Sequence, residues 1–348
     1  MKRQLLLTAL CCLAGATQAQ TNSPDARGYL ERGILMFEDR NYEGCIDQLS
    51  HLGNLHATPE QEEQALYYLG LASQGLGGDE ALGLFRQFLE KYPVSPLRAD
   101  VMMSVGDYYF NRGNYAQALQ EYSQVNPIAL TSSRCDDMTY RTAYSYMLLG
   151  EYQTAAGMFR SLQRSQAYGN AARYYLGYIA YVNKDYTLAL QYFRAVDTSR
   201  EPGNAAPYYE AQIAFAQDDF QRALELSRGL LASGTVPEFT AECNRLAGES
   251  LYNLGQEQEA LPYLWKYCAE AKDPQPSAFY ILGVSEYRAG NYDAAIKLLQ
   301  QAIGSGSAME QSAYLFLGQA YLKRGDNNSA LMAFENAYRQ EYDREVRE

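Results

Sequence analysis

Few residues in this sequence are of a type that catalyses, and none stands at catalytic spacing. The only histidines are His51 and His56, five positions apart. Such a pair can in principle bind a metal, but loop and helix-end surface residues are the simpler reading. Outside the first twenty residues the cysteines are Cys45, Cys135, Cys243 and Cys268, with no CxxC pair and no Cys/His cluster at ligand spacing. Zinc and thioredoxin-like chemistry are therefore not expected. No P-loop, HExxH, GxSxG or strand-to-helix GxGxxG is present, and the Gly304–Ser307 run lacks the helix-opening Lys of a phosphate loop. Carboxylates are plentiful, but without a fixed pair they imply no acid–base step. The expectation is a protein that is not an enzyme and needs no cofactor and no metal.

The residue type in excess is tyrosine, 32 of 348. A phenol offers a large apolar ring with a polar tip, which suits binding better than bond making. The formal charge of −12 comes with no Lys/Arg stripe, so nucleic acid and anionic membrane are poor partners.

The elements that carry the tyrosines repeat. "RGNYAQALQEY" from Arg112 returns as "LGEYQTAAGMF" from Leu149, "NKDYTLALQYF" from Asn183 and "AGNYDAAIKLL" from Ala289. With one small residue per copy as marker, the series is Cys45, Ala81, Ala118, Ala155, Ala189, Ala223, Ala260, Ala295 and Ala330, at spacings of 34 to 37. Eleven or twelve residues upstream stands a second small residue: Gly33, Gly70, Gly106, Ala143, Gly177, Ala211, Gly248, Gly283 and Gly318. Each copy reads as two helices joined by a polar break, with small residues where the pair crosses closely. A hairpin that cannot bury both faces alone must stack on its neighbours.

This pattern resembles the tetratricopeptide repeat (TPR). About nine repeats would fill 26–344, and the resemblance implies an all-α, right-handed α-solenoid that binds protein partners on a concave side lined by first helices. Departures are Gly78, Glu257 and Asn327 at the turn aromatic, where the second, seventh and ninth repeats are expected to pack less tightly. The resemblance places the lining residues three before, one after and four after the upstream small residue. The groove would then hold Tyr140, Tyr144 and Met147; Tyr174, Tyr178 and Tyr181; Tyr208, Gln212 and Phe215; Arg245, Glu249 and Tyr252; and Tyr280, Val284 and Tyr287. The alternative is that superhelical curvature stacks these rings on each other. The Lys/Arg/Asn set with which some TPR proteins clamp a C-terminal carboxylate does not occupy these positions.

Cys243 starts a first helix and Cys268 ends the following second helix, so an antiparallel hairpin sets them side by side. A disulfide there would close a 26-residue loop and add on the order of 3 kcal/mol. Two separately packed thiols are the alternative.

Residues 1–20 have two cations, a short apolar core and a small-residue end near Ala19 or Gln20, the layout of a secretory signal peptide. An exported or periplasmic protein is expected, with no membrane insertion after cleavage. "FLEKYPVSPLRADVM" from Phe88 is similar to a junction in envelope TPR proteins of Gram-negative bacteria, and the partners implied are envelope proteins. The last residues, 345–348, read as the start of a tenth repeat, so a longer chain or a partner is expected to cover the end. The functional expectation is an interaction scaffold of the cell envelope. The alternatives are a glycan- or peptidoglycan-associated binding protein, disfavoured by the single Trp265 in a second helix, and the repeat region of a larger multidomain protein.

Overall fold

The computed structural model describes residues 25–304 and 306–342. The expected signal peptide and the start of a tenth repeat lie outside them. Among the described residues there are eighteen α-helices and no strand. None of these helices is long and apolar enough to cross a membrane. The helices are arranged as repeats, an α-solenoid, and divide into two compact units, Met1–Leu149 and Gly150–Glu348.

In the first unit α1 (Ala26–Glu38) pairs with α2 (Tyr42–Ser50), α3 (Pro59–Gly75) with α4 (Glu80–Lys91), and α5 (Arg98–Asn111) with α6 (Tyr115–Tyr122); α7 (Ser132–Leu148) follows. The second unit opens with α8 (Tyr152–Leu162) and then pairs α9 (Gly169–Val182) with α10 (Tyr186–Arg194) and α11 (Ala206–Ala216) with α12 (Phe220–Ser233). Next come α13 (Thr240–Asn253) with α14 (Glu257–Glu270), α15 (Pro276–Arg288) with α16 (Tyr292–Gln301), and α17 (Ala308–Arg324) with α18 (Asn327–Arg339).

The turn within each hairpin explains part of the repeated sequence. One residue sits in the left-handed region, such as Gly113 at φ +73° or Gly290 at +83°; in three hairpins Arg40, Lys184 and Asp218 hold it without Gly. Two positions on, the aromatic opens the second helix. The residue before it caps that helix, as when Asn114 accepts from Gln117 N–H and Asp185 from Leu188 N–H.

Behind the turn, the two small residues are buried in every repeat, and all nine markers are sealed from solvent. The upstream Gly lies under the large residue four positions past the marker. A methyl carbon added at Gly177 would stand 2.7 Å from the Phe193 ring, at Gly70 2.5 Å from Phe85, and at Gly318 2.5 Å from Phe334. A mid-helix Gly costs about 1 kcal/mol against Ala, whereas sealing a Phe or Leu contributes roughly 1.5–3 kcal/mol. Packing therefore outweighs propensity. Leu49, Leu264 and Leu299 play the Phe role against Gly33, Gly248 and Gly283. In the sixth repeat both members change together, to Ala211 and Ser227, and both remain buried.

Hairpins join through the second helix of one and the first helix of the next, as α2 on α3 and α12 on α13. First helices also pack on first helices: α1 on α3 and α5 on α7 in one unit, and α9 on α11, α11 on α13 and α13 on α15 in the other. That approach crowds together the side chains carried by first helices.

Gly177→Ala is expected to destabilise the second unit by about 1–3 kcal/mol, because the rigid, fully buried Phe193 ring cannot retreat. Urea unfolding of this variant beside Gly157→Ala, where a methyl meets open space, checks it. Equal midpoints for the two would contradict the close-packing argument.

Candidate functional site

The tyrosines expected to line one face separate into a sealed group and an open group. Tyr174 is 7 % exposed and Tyr208 8 %, so both belong to the core and not to a groove. This corrects the expectation for these two positions, and the reason is local. Tyr208 stacks on Phe239 at 4.0 Å between ring centres, nearly parallel, and Phe239 sits in the short turn Pro237–Phe239 before α13. Tyr174 is closed in by Tyr175, Phe193 and Tyr209. Tyr209 is the centre of the seam, with Tyr178 at 5.5 Å, Tyr181 at 5.2 Å and Phe193 stacked at 5.6 Å. Burial pushes the phenols of Tyr174 and Tyr208 well up, and that of Tyr209 up to about 12. Met147 and Val284 are likewise buried.

Tyr209 and Phe239 escaped the positional reading, although a signal existed. Tyr67–Tyr68, Tyr174–Tyr175 and Tyr208–Tyr209 are adjacent tyrosines just before the upstream small residue, and each pair meets edge to face at 5.1 to 5.2 Å. The first of each pair stands three positions before the small residue and the second two.

In the first unit Tyr140 and Tyr144 remain half-buried on α7, stacked at 6.2 Å, with Tyr144 edge-on to Phe110 and Tyr115. Beside them lies a charged group that sequence reasoning missed. Tyr122 donates its hydroxyl to Asp107 at 2.7 Å, Arg141 pairs with Asp107 at 3.1 Å, and Arg134 pairs with Asp100 at 2.9 Å. Burial pushes the Asp107 carboxyl up, opposed by Arg141, the Tyr122 hydroxyl and Arg134.

The open group lies in the second unit. Phe215 from α11, Glu249 and Tyr252 from α13 and Tyr280 from α15 line a single cavity of about 410 Å³, with Asn253, Ser277, Ile281 and Met309 completing it. All four of the first-named residues occupy expected lining positions. Tyr178 and Tyr181 are half-buried against the Tyr209 seam, and Tyr287 leans on Phe316 and Tyr292.

Arg245 is not an open cation. Its guanidinium donates to Glu242 and to Glu249, both at 2.8 Å, and lies 5.9 Å from the centre of the Phe215 ring. Burial works against its charge, but Glu249 and Glu242 outweigh that and raise its pKa. Ser277 donates to the other Glu249 oxygen at 2.5 Å, tying α13 to α15. Glu249 is thus a buried, doubly held carboxylate at the cavity wall.

Cys243 and Cys268 are free thiols in the structure and serve different cores: Cys243 packs with Tyr208 and Leu246, Cys268 against the cluster of Leu264 and Tyr267. Burial pushes both thiols up to about 11. No group of three or more His, Cys, Asp and Glu residues that could hold a metal occurs among the described residues. His51 leans on the Tyr29 ring at 5.0 Å.

A family model described as tetratricopeptide repeat matches residues 76–127, 140–206 and 280–345, together more than half of the chain. The chain belongs to the tetratricopeptide repeat family. Its fold is similar to a TPR protein from Parabacteroides merdae, with 17 % identity over 82 % of this chain and 96 % of that one at TM-score 0.48. It is also similar to the C-terminal part of a TPR repeat-containing protein from Cytophaga hutchinsonii, with 16 % identity over 70 % and 97 % at TM-score 0.48. No curated protein matches the sequence. TPR repeats generally mediate protein–protein interaction, and TPR proteins are typically non-catalytic scaffolds.

Within this TPR hairpin, removing Arg245 would leave Glu249 buried and unpaired. Arg245→Met is expected to cost about 3 kcal/mol at neutral pH. Urea unfolding of the variant beside wild type at neutral pH checks it. A midpoint equal to that of wild type would contradict the pairing.

Proposed function

We propose that this TPR chain is a non-catalytic interaction scaffold of the cell envelope, and that it holds a segment of a partner protein against the first helices of its second unit. The observation that carries the reading is the cavity of about 410 Å³, where Phe215, Tyr252 and Tyr280 from three successive first helices meet beside Glu249. Aromatic rings with polar tips in a concave, partly desolvated setting have the character of binding hot spots. Tyr287 on α15 and Tyr178 and Tyr181 on α9, all half-buried, extend the aromatic character to either side along the chain. The layout of residues 1–20 supports the exported location, and the acidity supports a protein partner over nucleic acid.

A photo-cross-linking residue placed at position 252 in the producing cell should yield a discrete protein adduct in the periplasmic fraction. The same residue at position 265, where Trp265 stands 45 % exposed on the second helix α14, should not. Tyr252→Ala combined with Tyr280→Ala should weaken the captured complex by about 30-fold, the scale of a two-residue hot spot. Adducts of equal yield at both positions, or unchanged capture by the double variant, would contradict the proposal.

A further inference from the structure

The cavity's walls differ in charge as well as in shape. Glu249 is the one charged residue among those lining it, and it lies beside the aromatic residues Phe215, Tyr252 and Tyr280. Its side chain is 6 % exposed, and the one cation paired with it among the described residues, Arg245, is shared with Glu242. The group Glu242–Arg245–Glu249 therefore carries one formal negative charge that the lining residues do not balance. Each carboxylate oxygen of Glu249 accepts one bond, from Arg245 or Ser277, and keeps a second lone-pair site. Asn253 donates one amide N–H to the Glu249 backbone carbonyl, and its side-chain oxygen is a further acceptor at the rim. The lining holds no cationic side chain to attract an anion, while a carboxylate, ring faces and acceptors for a cation are present.

We infer that the cavity formed by Phe215, Tyr252 and Tyr280 with Glu249 is a receptor for an alkylammonium group, and that its occupant is a lysine side chain of the partner segment. The inference rests on the protein-binding reading above and specifies what that segment must carry. The apolar stem of the lysine lies along the rings and Ile281, and its ammonium meets Glu249 and Asn253. Charge complementarity selects lysine over an acidic or purely apolar anchor. The volume of about 410 Å³ admits a four-carbon amine with room for bridging water.

Met309 lines the same cavity, so its methyl group reports occupancy. On the full chain labelled with 13C-methyl methionine, n-butylammonium should shift the Met309 resonance saturably, while Met332, 66 % exposed on α18, does not move. Neutral 1-butanol and anionic butyrate should bind at least about tenfold more weakly. Tyr252→Leu, which keeps the Arg245–Glu249 pair, should weaken n-butylammonium by about tenfold; Glu249→Gln should remove the preference for the amine over 1-butanol. A lysine-centred acetylated heptapeptide should bind more tightly than n-butylammonium, and its norleucine counterpart should not. Equal response to amine, alcohol and butyrate, or no Met309 response, overturns the cation site even if position 252 captures a partner. Response to n-butylammonium with no gain from the peptide overturns the lysine occupant and points to a free amine. Lost partner capture with an intact Met309 response overturns the scaffold reading alone.

Discussion

The close contact between a glycine in the first helix and a large side chain in its own second helix, made in seven of the nine repeats, is the constraint on which the other features depend. It fixes how near the two helices of a hairpin approach, as at Gly106 under Tyr122 and Gly248 under Leu264. Helix propensity alone would place Ala at those seven positions, but an extra methyl there would run into the facing side chain. Because a buried small residue recurs with each period, the hairpins are alike, and like hairpins stack on one another within each unit. Close stacking then brings first helix against first helix, where the tyrosines are.

The consequence for function is a division of one residue type into two roles. Around α9 and α11 the first helices and the turn carrying Phe239 close over Tyr174 and Tyr208, and the rings become cohesive core. Around α11, α13 and α15 the same positional rule yields Phe215, Tyr252 and Tyr280 around a cavity. There the floor is held by ion pairs, since Arg245, Glu242, Glu249 and Ser277 tie α13 internally and to α15. A buried ionic group is costly unless each member is paired. Asp107, one position after Gly106, is a buried carboxylate at the equivalent position of the third repeat and is held by Arg141 and Arg134.

The fold was legible in the sequence because its cause is local. Period, small-residue pairs and helix caps all lie within one hairpin, and all nine markers fall where the spacing puts them. The site was legible only in part. The positional rule found Phe215, Glu249, Tyr252 and Tyr280, which meet in the cavity, and it found Tyr174 and Tyr208, which do not reach solvent. What separates them is non-local. Tyr208 is covered by a residue 31 positions later, from a turn whose length and proline follow no period. Asp107 was invisible for the same reason: its partners Tyr122, Arg134 and Arg141 come from two further helices.

The division of the tyrosines into sealed seam and open cavity is tested most directly by hydroxyl-radical footprinting of the folded chain, read residue by residue by mass spectrometry. The account predicts strong protection at Tyr174, Tyr208 and Tyr267 relative to the unfolded chain, and ready modification at Tyr252 and Tyr280. Modification of Tyr174 and Tyr208 at the rate of Tyr252 and Tyr280 would contradict it.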